Sequence, residues 1–113
     1  MRKGKMAAQA AHASMKVFFD RTTSSDPTRL EVPLWPEAAA WVAGAFTKIV
    51  VGCASQEELL ALEAKAREAG LPHALVIDAG ATEFHGVATP TALAIGPAAS
   101  AAIDAVTGGL KLL

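Results

Sequence analysis

The sequence predicts an α/β fold, a three-layer α-β-α sandwich with a small mixed β-sheet and helices on both faces. Three observations carry this expectation. The 113 residues suffice for a single domain, 1–113, with a core of its own, and are too few for two. Hydrophobic residues make up 52% of the chain but aromatic ones only 5%, so alanine and short aliphatic side chains fill the interior and let helices lie close on a sheet. An apolar run, a capped helix and a second apolar run follow one another at the spacing of a parallel right-handed crossover.

The first helix covers Lys5–Phe19, where good helix formers stand at nearly every position and neither proline nor internal glycine interrupts them. Thr22–Pro33, TTSSDPTRLEVP, reads as a turn-rich loop. Pro36 suits a first helical position, and PEAAAWVAG runs to a stop at Gly44, with Trp41 as the anchor of a short helix. TKIVVG, 47–52, is β-branched and apolar and predicts a buried strand. Ser55 with Glu58 forms a capping box, Leu59, Leu62 and Ala66 give the next helix its apolar stripe, and Gly70 ends it. HALVID, 73–78, is a second strand and TALAI, 91–95, a third. The connection between them is too short for a crossover helix, so the third strand joins antiparallel or at an edge. Gly96-Pro97 opens a last helix through Val106, and TGGLKLL closes the chain.

Charge is unevenly spread. Arg2, Lys3, Lys5, Lys16 and Arg21 face only Asp20 in residues 1–21, a balance of +4, which leaves −5 on the rest of a chain whose net charge is −1. A basic end on a slightly acidic body implies one local anionic contact, not a coating surface for nucleic acid. The alternative is a solvated basic terminus. No stretch approaches a membrane span, and the N-terminus lacks the apolar segment of a secretory signal. One cysteine, Cys53, permits no internal disulfide and suits a reducing cytoplasm; at a strand end its expected state is a buried, inert thiol.

Several chemistries have no signature here: GxxxxGK[ST], GxGxxG and GxSxG are all absent, and His12, His73 and His85 are too scattered for metal ligation. Asp78 is the candidate that remains. It ends an apolar strand, where ligands gather in open sheets, and partial desolvation there calls for a cationic or hydrogen-bonding partner. The local alternative is an Asp-Gly turn in which the carboxylate accepts from nearby amides. His12, in its alanine helix, reads either as a ligand-facing acid or base or as a packed histidine with one hydrogen bond. Trp35 and Trp41 read as core or interface anchors.

The opening segment KGKMAAQAAHAS, with FTKIVVG, EELLALEAKAREAGLP, LVIDAGATE, TALAIGP and IDAVTGGLKLL after it in order, resembles the type 2 peptidyl-tRNA hydrolases, the archaeal and eukaryotic kind. The likeness covers nearly the whole chain. It implies cofactor-free hydrolysis, by an activated water, of the ester joining a peptide to the 3′ ribose of tRNA, with peptidyl-tRNA as partner, no membrane, a cytoplasmic setting and a homodimer as a candidate assembly. The family's catalytic positions fall on Lys5, Asp78, Thr82 and Thr91, and substrate-binding positions on Lys3, Gln9 and His12; no metal is implied. The family carries an apolar strand before the lysine-glycine-lysine segment, so a sheet one strand short of the family's four is expected. Ala81 and Glu83 stand where the family has arginine and glutamine, which keeps two further readings open: a non-catalytic homologue that binds tRNA ends or a protein partner, and a hydrolase of another small molecule.

Overall fold

The structure, a computed structural model, describes residues 1–80 and 86–113. Its elements are α1 (Lys3–Phe19), α2 (Pro36–Ala43), α3 (Gln56–Glu68), β1 (His73–Asp78), β2 (Thr89–Ile95) and α4 (Ser100–Thr107). The class is mixed α/β, as the composition implies.

The helices begin and end where their local chemistry dictates. Pro36 occupies the first turn of α2. Ser55 caps α3, its hydroxyl accepting the Glu58 N–H at 3.1 Å, and the Glu58 carboxylate accepts the Ala54 N–H at 3.2 Å, one residue before the amide a strict capping box would use. At the other end Gly70 takes a positive φ of 69°, the Leu71 N–H reaches Ala66 O and the Gly70 N–H reaches Arg67 O, which satisfies two carbonyls of the last turn.

β1 and β2 pair antiparallel, with His73 opposite Ile95 and Asp78 opposite Thr89, and a register shift falls between Val76 and Ile77. Side chains alternate across the two faces, and two contacts fix which face is which. Asp78 meets Lys5 of α1, so Asp78, Val76 and Ala74 face that helix. His73 lies 3.9 Å from Glu63 of α3, so His73 and Leu75 face the other way. α1 and α3 thus sandwich the sheet, and α4 packs against α3. The small partners Ala74 and Ala94 lie opposite each other on the α1 side, which is why an alanine-rich helix seats there, with Ala13 and Val17 almost wholly buried. Leu59, Leu62 and Ala66 fill the layer beneath α3.

Three expectations are corrected. TKIVVG, 47–52, is not a strand of the sheet. Its backbone pairs instead with the chain end: Val51 bridges Leu112, the Gly52 N–H donates to Lys111 O at 3.0 Å, and the Leu113 N–H donates to Val50 O at 3.1 Å. A ladder needs a partner of comparable length, and three residues do not supply one. Ile49 is therefore 73% exposed instead of buried. The parallel crossover falls with that strand: the sheet among the described residues is antiparallel, not mixed, and α3 links the bridge to β1. Cys53, next to the uncovered segment, is exposed and not a packed thiol.

The tryptophans are anchors, as expected. Phe18 of α1 stacks on both Trp35 and Trp41, with centroids 5.5 and 5.8 Å apart, and the indole N–H groups donate to Pro97 O and Thr47 O. This cluster ties α1 to α2 and to the turn before α4.

Candidate active site

Asp78 ends β1, and Lys5 lies in the first turn of α1, on the border between its buried and exposed sides. The ammonium Nζ stands 2.9 Å from Asp78 Oδ2, with side-chain exposures of 17% and 13%. The other carboxylate oxygen, Oδ1, accepts the Gly80 N–H at 3.4 Å. Both sequence readings of Asp78 are therefore realised, one oxygen in a local turn and the other on a cation. Gly80 makes the turn at φ 85°, and a Cβ there would run into the backbone of Val87. The hydrogen bond from Lys5 draws the Asp78 pKa below the ordinary carboxylate value, against the opposing effect of burial; the Gly80 amide and the Lys5 charge add to the lowering.

One turn beyond Lys5 on the same helix, Gln9 meets Thr91: the threonine hydroxyl donates to Gln9 Oε1 at 2.6 Å. Alternation alone would put Thr91 on the α3 side with Leu93. The register shift, where β2 spends one residue more than β1, turns Thr91 toward α1 instead. Pro90 sits at this shift, opposite Ile77, one of the irregular places in a ladder where a residue without an N–H is tolerated. Sequence periodicity carries no signal of this; proline inside a strand-like run is the nearest one.

The structure brings together Lys5, Asp78, Gln9 and Thr91. Lys3 is exposed at the start of α1, whose N-terminus has no side-chain cap. His12 is exposed and neither packed nor bonded to the Lys5–Asp78 pair; it lies two turns along α1. Thr82 lies outside the described residues, as do Ala81, Glu83 and His85. Among the described residues no three His, Cys, Asp or Glu side chains gather as metal ligands, and no helix is long and apolar enough to cross a membrane.

Fold and site define a mixed α/β protein with a carboxylate–ammonium pair at a strand end and a hydrogen-bonded hydroxyl beside it. The family model described as peptidyl-tRNA hydrolase PTH2 matches residues 1–113, and the chain belongs to that family. A peptidyl-tRNA hydrolase of Aeropyrum pernix is 45% identical over 112 residues, covering 99% of this chain and 86% of that protein. Those of Methanopyrus kandleri and Methanocaldococcus jannaschii are 41% and 39% identical, over 98% and 100% of this chain and 86% and 90% of theirs.

Proposed function

We propose that this chain is a peptidyl-tRNA hydrolase, a carboxylic ester hydrolase that cleaves the bond between the peptide carbonyl and the 3′ oxygen of tRNA. Family membership supports the reaction. The 2.9 Å approach of Lys5 to Asp78 is the observation that supports this site for it.

Water attacks the ester carbonyl, the carbonyl oxygen gains negative charge, the carbon–oxygen bond to ribose breaks, and the leaving oxygen takes up a proton. The products are free tRNA and a peptide with a new carboxyl group. Lys5, held by Asp78 on a rigid helix, offers a fixed positive charge where the oxyanion develops. Asp78 stays ionised at neutral pH and orients the attacking water by accepting its hydrogen bond. The Thr91 hydroxyl gives its proton to Gln9, so its oxygen is left to accept from the same water. Thr82 belongs to this reading through its family position alone. Lys3, with Arg2, supplies positive charge for tRNA phosphate.

A cytoplasmic setting, a single domain over 1–113 and a homodimer complete the reading. The exposed apolar side chains of Ile49 and Val50 support self-association. Release of labelled peptide from N-acetylaminoacyl-tRNA tests the reaction. Wild-type turnover that disappears in Asp78→Ala and Lys5→Ala is the expected result, and no release above background by the wild type overturns it.

A further inference from the structure

Beyond Lys5, α1 carries a second surface that the reaction centre does not use. Ala8, Ala11, His12, Met15 and Phe19 recur at three- and four-residue spacing along one exposed side and border an open depression of about 560 Å³. Met15 is 53% exposed and Phe19 47%. The charged residues of its rim, Lys16 and Asp20, are paired with each other at 2.9 Å, so the depression presents no net charge to a phosphate.

Charge is therefore sorted along a single helix. Arg2 and Lys3 precede Lys5, whereas an apolar surface follows it, from about 4.5 Å to about 21 Å further along the axis at 1.5 Å per residue. The substrate of the reaction proposed above is sorted in the same way about its reacting ester, with a polyanion on one side and a peptide on the other. We infer that the Ala8–Phe19 side of α1 receives the peptide half of the substrate, while the tRNA end runs toward Arg2 and Lys3. This rests on the hydrolase reading. The length accommodates about five extended residues. The lining suits chains of many sequences, since alanine leaves room and methionine adapts its shape. Two features favour a peptide over other occupants: the surface begins one turn beyond Lys5 on the same helix, and its lack of net charge complements a peptide and not a nucleic acid.

Two substrates on one tRNA test this, N-acetylglycyl-tRNA and the same tRNA carrying an apolar pentapeptide. The wild type is expected to favour the longer one by about tenfold in kcat/KM, and Met15→Gln/Phe19→Gln to bring that ratio near one. Glutamine removes apolar surface without adding charge, so tRNA attraction cancels in the ratio. Met15→Gln alone, at an exposed position, serves if the double variant does not fold, and is expected to lower the ratio partway. Equal wild-type rates on both substrates, or a ratio unchanged in the variants, overturn the inference and leave the hydrolase reading standing. Variants that alter sedimentation but not the ratio assign the surface to a second copy and also overturn it. A wild type that cleaves neither substrate removes the hydrolase reading itself.

Discussion

Lys5 and Asp78, 73 positions apart in the sequence, form an ion pair at 2.9 Å that ties the first turn of α1 to the last residue of β1. Each side chain is more than four-fifths shielded from water, so each offsets part of the other's lost hydration. Lys5→Met and Asp78→Asn should each lower the melting temperature, because the remaining charge loses its partner while staying largely shielded. Each should also lower kcat for peptidyl-tRNA by about a hundredfold or more, the scale of losing one preorganised electrostatic partner of an oxyanion. The double variant should be no slower than the worse single one, since the two act as a unit. Thermal melts alongside single-turnover hydrolysis check all three.

Acid should reveal the same pair. The Asp78 pKa lies below the ordinary 3.8, chiefly through the hydrogen bond from Lys5, so protons bind it more weakly in the folded chain than in the unfolded one. Its contribution to stability is complete above about pH 4 and is lost as pH falls through the lower folded value. Urea titrations at pH 6 and pH 3 should show the wild type losing more stability across that interval than Asp78→Asn, which has no such proton to take up. Equal losses would place the acid sensitivity in other carboxylates.

Thr91 should matter through its hydroxyl and not its shape. Thr91→Val keeps the branched side chain but removes the donor to Gln9 Oε1, and hydrolysis should fall about tenfold with little change in melting temperature. Thr91→Ser should retain most of the activity. Gln9→Ala should resemble Thr91→Val, and the pair of changes should be less than additive, as expected for partners in one hydrogen bond.

How much of this is legible in the sequence follows from how local each cause is. Ser55 with Glu58, Gly70 and Pro36 punctuate helices through contacts within a few residues, and all three act where the sequence places them. Asp78 at the end of HALVID is legible too, because an apolar run ending in a carboxylate has few places to go. What escapes is non-local. TKIVVG has the composition of a strand, yet strand formation is decided by a partner, and among the described residues its bridge partner is the chain end at Leu112. The side that Thr91 faces depends on one extra residue in β2 relative to β1, which no pattern within either strand records. The Lys5–Asp78 approach itself was legible only through the family likeness, since helix and strand meet across most of the chain.

The alanines of α1 should matter for distance. Ala13 is 2% exposed against the sheet, on the side where Ala74 and Ala94 keep their own bulk small, and the helix carries Lys5 and Gln9 from the same backbone. Ala13→Leu adds three carbons where there is no space, so α1 must lift or strain, at a cost of about 1–3 kcal/mol and about 4 °C or more in melting temperature. Lifting the helix also moves the Lys5 ammonium away from Asp78, so activity should fall further than the stability loss alone explains. Ala7→Leu, on the exposed side of the same helix, should leave stability within about 0.5 kcal/mol and activity near wild type, although it adds the same carbons. Melting curves and hydrolysis rates of the two variants side by side separate helix propensity, which both share, from the packing distance, which only Ala13 controls.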